Sequence, residues 1–569
     1  MKILALKLTH DGSISVVNGD SLEFCIELEK LDNNNRFKIL NDTRDIEQIL
    51  NDHQYSLSDF DHITVDGWIG QDSGQIDIYD HPEEYKLRVA PYGGSDVNKL
   101  RKIVNFDNFI FKGVNYPYSS TTHLYNHLIG SYATSSFSKK RDPAYLMVWD
   151  GGTFPLIYFF NPKKDILEYL GSPFYFGANV YSIFCQHFGP YKKNGNVIKD
   201  ELSIAGKIMA YVALGEINNE ILNSLNQVYD EMESSLRKIE NLPNIPYQYA
   251  TKFIRNIRDK KYRDEDIITT FHYFIETLLI NGIRKILKRD GNRSENLCYS
   301  GGAALNIKWN SKIRKTFGLN IWIPPFPNDS GSSIGAAAAL IYDKYEIASI
   351  DWDVYRGPYL KRKKDINHSV NWKSINCSPT QLAHILFKLK KPVVFLTNNA
   401  ELGPRALGNR SILADATTSQ MKVIINDLKQ REQYRPLAPI CIESMANKIF
   451  TPGGTDPYML FEHRVNRDWS PKIPAVIHSD GTARLQTINS SNNKPMYNVL
   501  MEYYKLSGIP VLVNTSANYK GRGFFPDVES AMDWGKIDFI WSENVLFYNE
   551  KQIKSIEKVF ELKMSNDEF

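Results

Sequence analysis

The chain opens on short runs of apolar residues broken by tight polar turns, a pattern that predicts a meander of antiparallel strands. The predicted strands are 2–9, 13–17 and 22–28. A polar stretch of helical character follows at 42–59, and a further strand is predicted at 62–67. Strands that alternate in this way with helices indicate an α/β lobe.

Later apolar runs end on polar residues. The run 144–149 predicts a buried strand that ends at Asp150 and a glycine turn, and a second strand follows at 155–160. Asp329 lies in a turn before the alanine-rich helix predicted at 336–342. A carboxylate at such a position is normally a cap or a turn residue, and it can also be a ligand.

Between these strands, the region 218–289 is helical and charged, and its apolar face predicts packing on a sheet. The segment 176–215 is rich in glycine, but the spacing of a phosphate-binding P-loop is absent. A buried strand then runs into Gly301 and Gly302 and a helix start near Asn306. Such a junction lets a nucleotide phosphate lie against bare backbone, and it also serves as a packing device.

Composition shifts at 347–378, where proline, polar residues and the basic cluster 361–364 predict a linker. A chain of 569 residues is too long for one ordinary core. We therefore predict two domains, 1–356 and 357–569.

Two histidines form the first candidate metal site in the sequence. His123 and His127 are four residues apart on a predicted helix, so both imidazoles point into one small volume that could hold a metal ion. A histidine pair on a helix is weak alone, because a catalytic metal usually takes three or four protein ligands. Asp150 and Asp329 are the candidates to complete the set. His10, at the tip of the first turn, is either an exposed turn residue or a group aimed at a reacting carbonyl.

The second predicted domain is rich in cationic loops. The loop 398–411 carries Arg405 and Arg410, and guanidinium forks in a glycine loop suit oxyanions. The loop 429–439 has three cations facing one carboxylate, and the strand from 511 opens into short polar side chains. The residues concerned are Lys429, Arg431, Arg435, Asn514 and Ser516. Each loop alone could be a salt-bridged surface, but together they predict a polyphosphate or acyl-phosphate site.

Composition adds little beyond this. The chain is 42% hydrophobic and 12% aromatic, enough for globular burial, and no window resembles a membrane span or a signal peptide. We therefore expect a cytoplasmic protein without a membrane partner. The five scattered cysteines argue against a disulfide framework, and the net charge of +3 permits an anionic partner without requiring one.

Several of these features recur, in the same order, in one family. The chain resembles the O-carbamoyltransferases of nodulation-factor and antibiotic tailoring, and the match covers nearly its whole length. The motifs that carry the resemblance lie at 10–13, 123–127, 150–152, 300–306, 328–331, 401–411, 429–439, 480–486 and 514–518. The most specific is Glu-Leu-Gly-Pro-Arg-Ala-Leu-Gly-Asn-Arg-Ser at 401–411.

The resemblance implies an α/β first domain of the actin and sugar-kinase superfamily, similar to threonylcarbamoyl-transfer proteins, and an α+β second domain of the YrdC-like kind. It implies that the second domain uses carbamoyl phosphate and ATP, with Mg²⁺, to make carbamoyl-adenylate. The first domain then transfers the carbamoyl group to a hydroxyl.

Carried over to this sequence, the family's metal ligands fall on His123, His127, Asp150 and Asp329, with Fe²⁺ or another divalent ion. The resemblance also implies roles for residues of both domains. In the first domain, His10 becomes the general base, and the residues that line the adenylate are Gly301, Gly302 and Asn306. In the second domain, Lys429 and Arg435 are catalytic, and the residues that bind ATP or carbamoyl phosphate are Arg405, Arg410, Lys429, Arg431, Arg435, Asn514 and Ser516.

The acceptor is left open. One candidate is a sugar-like small molecule or natural product. The other is a 5-hydroxymethylpyrimidine in a nucleotide or in DNA, because the chain is slightly basic and has 32 tyrosines that could stack on bases. The segment Glu27–Arg36 departs from the family pattern, with Lys30 where an arginine is usual, in a region tied to the acceptor. A homodimer is possible, and a non-catalytic ATP-binding actin-superfamily protein is the alternative function.

Overall fold

The computed structural model describes residues 1–70, 73–93, 100–193, 201–236, 243–361 and 371–560. The chain forms two compact units. The first unit comprises Met1–Cys25 and Ile39–Asp353, and the second comprises Ile26–Lys38 and Val354–Phe569. The prediction of domains 1–356 and 357–569 did not include the exchange of segment 26–38 into the second unit. Part of the predicted linker, 362–370, and most of the basic cluster 361–364 lie outside the described residues.

In the first unit, groups of strands alternate with groups of helices along the chain. The strands are β1 (Lys2–Lys7), β2 (Ser13–Asn18), β3 (Ser21–Glu27), β4 (His62–Asp66), β5 (Gly74–Asp80), β6 (Glu83–Val89), β7 (Ile103–Phe111), β8 (Val114–Thr121), β9 (Ala144–Val148), β10 (Leu156–Asn161), β11 (Ile166–Gly171), β12 (Asn296–Ser300) and β13 (Asn320–Trp322). The helices are α1 (Thr43–Asp52), α2 (His123–Ala133), α3 (Ser136–Lys139), α4 (Val180–Cys185), α5 (Ala205–Tyr211), α6 (Asn219–Leu236), α7 (Ile245–Ile257), α8 (Asp264–Asp290), α9 (Ile307–Phe317) and α10 (Ser332–Tyr345).

Two sheets of the first unit repeat one topology. Within the described residues, one sheet has the order β3-β2-β1-β4-β8-β7 and the other the order β11-β10-β9-β12-β13. In each, a central strand pairs antiparallel with the next strand in sequence and parallel with a later one: β1 with β2 and β4, and β9 with β10 and β12. This duplicated arrangement confirms the predicted actin/sugar-kinase-like fold, and β1 to β3 confirm the predicted meander.

Helices α2 and α10 form the centre of the first unit. Helix α10 packs on β1, β2 and β4, α2 packs on β9 and β12, and the two helices pack on each other. Their contact depends on glycine. A Cβ on Gly335 of α10 would lie 2.3 Å from the backbone oxygen of Asn126 in α2, and one on Gly130 would lie 2.8 Å from the Cα of Gly335. Close packing here fixes the helix that carries both histidines.

The second unit is α+β. Its strands are β14 (Trp372–Asn376), β15 (Val393–Leu396), β16 (Arg410–Asp415), β17 (Ala438–Ile442), β18 (Phe450–Thr451), β19 (His463–Val465), β20 (Thr482–Ala483), β21 (Gln486–Ile488), β22 (Val511–Ser516), β23 (Phe539–Ser542) and β24 (Val545–Asn549). Its helices are α11 (Pro379–Leu389), α12 (Ser419–Leu428), α13 (Ala446–Ile449), α14 (Lys494–Ser507), α15 (Val528–Asp533) and α16 (Ile553–Phe560).

A mixed sheet organises this unit. In the described residues its order is β14-β24-β23-β15-β16-β22-β17-β21, with a small sheet β18-β19-β20 beside it. Apolar side chains of the large sheet enter two buried clusters, one around Val394, Ile412 and Val513 and the other around Phe395, Leu413 and Leu512. Alternate residues of each strand thus face opposite layers, as expected for a sheet covered on both sides. The mixed sheet is the α+β architecture predicted for the second domain.

Segment 26–38 is held to the second unit by buried polar contacts. The ammonium group of Lys30 donates to Glu27 Oε1 at 2.6 Å and to the carbonyl oxygens of Glu401 and Gly403 at 2.6 and 2.7 Å. Glu27 Oε1 also accepts from the Gly403 amide at 2.7 Å. The substitution of lysine for the usual arginine therefore lies against the 401–411 loop of the second unit. No helix in the described part of the chain has the length and apolarity needed to cross a membrane.

We expect Gly335→Ala to lower the free energy of unfolding by about 1–3 kcal/mol, because the new methyl group would have to push α2 and α10 apart. Thermal unfolding of the purified chain measures the change. Gly206→Ala is the matched control, since a Cβ at this exposed helical glycine meets nothing within 4 Å. That variant should be neutral or slightly stabilised. Equal melting curves for the two variants would contradict the tight contact.

Candidate functional site

Four predicted metal ligands converge in the first unit. His123 and His127 lie on the first turns of α2, Asp150 follows β9, and Asp329 begins the turn before α10. The ligand atoms of all four lie within 4.8 Å of one another. The Nε2 atoms of the two imidazoles are 3.2 Å apart, and each lies 3.4 Å from Asp329 Oδ1. Two aromatic nitrogens and two carboxylates therefore face one point.

Asp66, at the end of β4, fixes the first imidazole. Its Oδ2 atom lies 2.8 Å from His123 Nδ1, and its Oδ1 atom accepts from the Asn126 amide at 2.6 Å. When Nδ1 carries the proton, the lone pair of His123 is on Nε2, which faces the cluster. A carboxylate behind a metal-binding histidine sets its tautomer and orientation in this way. Asp66 thus holds His123 in the orientation that a metal ligand would need.

Lys7 is buried between two carboxylates. Its Nζ atom lies 2.9 Å from Asp66 Oδ2 and 2.9 Å from Asp329 Oδ2. It also lies 4.4 Å from the centroid of the Trp68 ring. Burial alone would lower the pKa of Lys7, but Asp329 and Asp66 raise it above its ordinary value. Lys7 therefore stays charged and holds one oxygen of Asp329 while the other faces the histidines.

The charge of the cluster suits a divalent cation. In the described part of the chain, the buried carboxylates of Asp66 and Asp329 face the ammonium group of Lys7, and the partly exposed carboxylate of Asp150 lies 3.9 Å from His123 Nε2. Two negative charges are thus left over when the histidines are neutral. Burial and Asp329 would raise the pKa of Asp150, but the two neighbouring histidines hold it at about 2. A mixed set of two imidazoles and two carboxylates fits a divalent transition metal.

Asp150 joins this cluster to the glycine turn. Its Oδ1 atom accepts from the Gly302 amide at 2.7 Å, and its Oδ2 atom accepts from the Tyr92 hydroxyl at 2.6 Å. Gly301 has a φ of 91°, and a Cβ there would lie 2.3 Å from the Trp149 carbonyl oxygen. Gly301 is therefore required where its backbone approaches Trp149, just after β9, whereas a Cβ on Gly302 would meet only Asp150 Oδ1 at 3.2 Å. Asn306 caps α9, where its side chain accepts from two backbone amides, so the predicted adenylate contact competes with a structural role.

His10 borders the cluster. Its Nδ1 atom lies 2.9 Å from Asp11 Oδ2, and its Nε2 atom lies 3.6 Å from Asp329 Oδ2. About 36% of the side chain is exposed, so solvent or a substrate can reach the ring. Hydrogen bonding of Nδ1 to Asp11 leaves Nε2 as the basic nitrogen on the side of the carboxylates. This is the arrangement of a histidine base and its orienting carboxylate.

The second unit contains a cluster of partly buried arginines. Arg405, Arg431 and Arg484 each have a nitrogen without a hydrogen-bond partner. Burial, and then repulsion from neighbouring arginines, lowers the pKa of Arg431 to about 9 and that of Arg484 to about 10. Burial lowers the pKa of Arg405 well below its usual range, and the charged groups that lower it further, in the described part of the chain, are Arg484, Arg36 and Arg435.

An arginine keeps its proton in a folded protein, so these lowered pKa values express positive charge without enough counter-charge. Arg435, whose side chain is 31% exposed, lies 3.8 Å from Glu432 at its nearest atoms. The arrangement can bind a polyanion, because an incoming phosphate would meet several unsatisfied guanidinium donors at once.

Arg410 has a different role from the one predicted. Its guanidinium group is buried and donates to the carbonyl oxygens of Thr397, Asn409, Pro358 and Asn398 at 2.6 to 3.3 Å. These bonds tie the 398–411 loop together, so we do not retain Arg410 as a ligand-binding residue. Glu401 has the complementary role, since its Oε1 atom accepts from the amides of Leu407, Asn409 and Arg410. The loop that presents Arg405 is therefore rigid.

The remaining predicted residues of this domain, Lys429, Asn514 and Ser516, all form hydrogen bonds within the protein. Lys429 is buried and donates to the carbonyl oxygens of Ser516 and Asn518 at 2.7 and 2.9 Å. Burial, followed by Arg431 and Arg435, lowers its pKa well below the ordinary value. The amide of Asn514 donates to Gln486 and to the Ala406 carbonyl, while its Oδ1 atom is buried without a partner. Ser516 donates to Asn518.

Several residues of these sites were not predicted. The sequence contains no motif that marks Asp66, Lys7 or Tyr92, because each is a single polar side chain beside apolar neighbours. Arg484 lies within the motif 480–486, which supports the family resemblance but gives the residue no role by itself. The isolated arginine in that motif was the available signal.

Comparison with known proteins identifies the family. The family models described as carbamoyltransferase N-terminus and carbamoyltransferase C-terminus match residues 2–338 and 385–548. The chain therefore belongs to the carbamoyltransferase family, and it is an enzyme of the transferase class.

The relatives extend over whole chains. Nodulation protein U of Bradyrhizobium diazoefficiens is 40% identical over 560 residues, covering 96% of this chain and 97% of the relative. The 3'-hydroxymethylcephem-O-carbamoyltransferase of Streptomyces clavuligerus is 27% identical over 552 residues, covering 94% and 97%. Among solved structures, the activator of the 2-hydroxyisocaproyl-CoA dehydratase from Clostridium difficile aligns with a TM-score of 0.33 and 11% identity, over 61% of this chain and 96% of that one. The fold assignment rests on strand order and not on this likeness.

We expect Asp66→Asn to weaken metal binding roughly 10- to 100-fold, because an amide no longer holds the Nδ1 proton of His123 with a full negative charge. Metal retained per chain after dialysis against a graded chelator series measures the effect. Asp61→Asn is the control, since that carboxylate is 62% exposed and pairs with the chain terminus. Unchanged retention in Asp66→Asn would remove the carboxylate from the metal site.

Arg405→Met should stabilise the ligand-free protein by about 1–4 kcal/mol, since a neutral side chain of similar length relieves the arginine repulsion. The same variant should lose the rise in melting temperature that inorganic pyrophosphate gives the unchanged protein. Differential scanning calorimetry with and without pyrophosphate tests both effects, with the exposed Arg467→Met as control. Destabilisation together with a retained pyrophosphate effect would contradict the assigned anion site.

Proposed function

We propose that this carbamoyltransferase works in two steps, one in each unit. In the second unit, carbamoyl phosphate is hydrolysed to carbamate and phosphate, and a carbamate oxygen then attacks the α-phosphorus of ATP. Carbamoyl-adenylate forms and pyrophosphate leaves. In the first unit, an acceptor hydroxyl attacks the carbamoyl carbon, the bond to the adenylate oxygen breaks, and AMP leaves. The products are a carbamate ester, AMP, pyrophosphate and phosphate.

The arginine cluster is the single observation that supports the first step most strongly. Guanidinium groups with unsatisfied donors stabilise phosphoryl oxygens as charge moves onto them in the transition state. Arg405, Arg431 and Arg484 supply such donors, and Arg435 adds its charge to theirs. The rigid loop held by Glu401 keeps Arg405 in place, which avoids reorganisation during the reaction. Mg²⁺ would accompany ATP as part of the co-substrate.

For the second step, His123, His127, Asp150 and Asp329 are the proposed ligands of a divalent ion, with Fe²⁺ as the candidate that the family resemblance suggests. Such an ion supplies Lewis acidity toward a carbonyl oxygen. Lys7 and Asp66 hold Asp329 and His123 in position for it. His10 is the proposed base: Nε2 takes the proton of the acceptor hydroxyl while Asp11 holds Nδ1.

We propose a small hydroxyl-bearing molecule as the acceptor. This follows from the relatives, since one is named for carbamoyl transfer to a hydroxymethyl group of a cephem and another for nodulation. No observation favours the hydroxymethylated pyrimidine in DNA that the sequence left open, and none supports the possible homodimer. Family membership sets aside the alternative of a non-catalytic ATP-binding protein.

Pyrophosphate release and carbamoyl transfer, measured separately, test the two-step proposal. Arg435→Ala should slow pyrophosphate release from ATP and carbamoyl phosphate roughly 100-fold or more, because a charge that stabilises the transition state is lost. His10→Asn should leave pyrophosphate release near the unchanged rate and slow the second step by roughly 100-fold or more, read as hydroxylamine-trapped carbamoyl-adenylate that accumulates.

Arg467→Ala, an exposed arginine of the second unit, is the control for both steps. Normal pyrophosphate release in Arg435→Ala would remove the arginine cluster from adenylate formation. Equal loss of both steps in His10→Asn would give His10 a structural role instead of a catalytic one.

A further inference from the structure

A pocket in the second unit lies between the end of α12 and the loops that follow β22 and α15. Its volume of about 520 Å³ is in the range of small-molecule binding sites. The charged and aromatic residues in its lining are Lys429, Tyr519, Lys520, Arg522, Trp534 and Lys536. Apart from Lys429, these residues lie outside the sequence motifs and have no role in the sites described above.

The charge of the lining is positive. Four of its six charged or aromatic side chains are cations, and none of the described lining residues is an aspartate or a glutamate. Asp527 and Asp533 lie near Tyr519 but outside the lining. A pocket with this composition suits an anionic ligand.

Lys429 is the buried cation of the pocket, with 8% of the residue exposed. Its ammonium group donates to the carbonyl oxygens of Ser516 and Asn518 at 2.7 and 2.9 Å, and also to the side-chain oxygen of Asn518. The Trp534 ring lies beside it, with the ring centroid 5.6 Å from Nζ. These partners are all neutral, so an anion in the pocket would supply a counter-charge that Lys429 lacks.

Two aromatic rings form the apolar part of the lining. Trp534 and Tyr519 are half-buried, and both pack against the apolar core cluster around Val394, Ile412 and Val513. The Tyr519 hydroxyl donates to the Ser530 carbonyl at 3.1 Å, which holds its ring in place. Aromatic surface beside ammonium and guanidinium groups suits a ligand that combines a planar ring with negative charge, as a nucleotide does.

The pocket meets the arginine cluster at Lys429. Helix α12 ends at Leu428, and Gln430 has a φ of 50°, so the chain turns sharply between Lys429 and Arg431. Burial, and then the charges of Arg431 and Arg435, lower the pKa of Lys429. These three cations therefore lie near one another, and a row of phosphates that begins at Lys429 can continue to the guanidinium groups.

We propose that this pocket holds the nucleoside part of ATP, with the base against Trp534 and the phosphates running past Lys429 to the arginine cluster. The assignment rests on the proposed formation of carbamoyl-adenylate in this unit, and it adds the residues that recognise the nucleoside. Lys520, Arg522 and Lys536 are exposed and supply positive charge at the rim. The α-phosphate then lies next to Lys429, and the pyrophosphate that leaves lies among the arginines.

Calorimetric titration of the full-length protein with α,β-methylene-ATP and with inorganic tripolyphosphate separates the nucleoside from the phosphates. The unchanged protein should bind the nucleotide roughly tenfold or more tighter than tripolyphosphate, because only the nucleotide has a base to stack. Trp534→Leu should weaken nucleotide binding by roughly the same factor and leave tripolyphosphate binding unchanged. Lys536→Gln should weaken nucleotide binding roughly two- to fivefold, since an exposed charge contributes little. A nucleotide bound in the first unit would give a second binding event that neither variant changes.

Trp469→Leu and Lys472→Gln are the matched controls. Trp469 packs on the same core cluster as Trp534, and Lys472 Nζ lies 4.6 Å from the centroid of its ring, so this pair resembles Lys429 and Trp534 but lies outside the pocket. Melting curves show whether each variant is folded. Lys536 is exposed, so its variant tests the pocket even where Trp534→Leu does not fold.

The proposal is overturned if the unchanged protein binds the nucleotide no more tightly than tripolyphosphate. It is also overturned if the folded pocket variants bind the nucleotide as tightly as their controls. Pyrophosphate release from ATP and carbamoyl phosphate, measured on the same samples, distinguishes the two proposals. Normal release together with either of these results would leave the two-step reaction in place and remove only the pocket from it.

Discussion

The buried carboxylate of Asp66 is the interaction on which the site of the first unit depends. It ends β4, beside the end of the parallel strand β1, and from there it contacts Lys7, His123 and Asn126. Parallel strands bring their carboxyl ends to one edge of a sheet, so this edge collects charged groups while the strands behind it stay apolar. The contacts of Asp66 with His123 and Asn126 fix the position of the central helix α2 on the sheet. They also orient His123 so that its Nε2 atom faces Asp150 and Asp329. The packing of α2 against α10 through Gly130 and Gly335 holds the same helix from its other side.

A buried carboxylate also organises the site of the second unit, but the side chain that it positions is positively charged. Glu401 is a buried carboxylate that accepts from three amides of one loop, and this loop presents Arg405 among other arginines. The metal-competent cluster of the first unit thus has surplus negative charge, and the arginine cluster of the second unit has surplus positive charge. Charge that is shielded from water and lacks enough counter-charge is costly, so each of the two clusters favours a ligand of opposite charge. A divalent cation and a polyphosphate are the ligands that we propose for the two sites, in keeping with the proposed activation of the donor as an adenylate.

Much of this arrangement could be predicted from the sequence, and the misses have physical reasons. The spacing of His123 and His127 on a helix and the position of Asp150 and Asp329 at element ends were enough to select the cluster that the structure assembles. Lys7 and Asp66 could not be selected, because their meeting depends on which strands pair across the sheet. Arg410 was predicted to bind a ligand because local sequence does not distinguish a guanidinium saturated by carbonyl oxygens from one with free donors. Segment 26–38 was missed for the same reason as Lys7, since its contacts with the 401–411 loop are distant in sequence.

The most direct measurement of the central claim, that the two units hold ligands of opposite charge, is anomalous X-ray diffraction at the iron edge from crystals grown with Fe²⁺ and a non-hydrolysable ATP analogue. The account predicts one anomalous peak among His123, His127, Asp150 and Asp329, and polyphosphate density against Arg405, Arg431 and Arg484. An iron peak away from the histidine pair, or phosphates bound outside the arginine cluster, would contradict it.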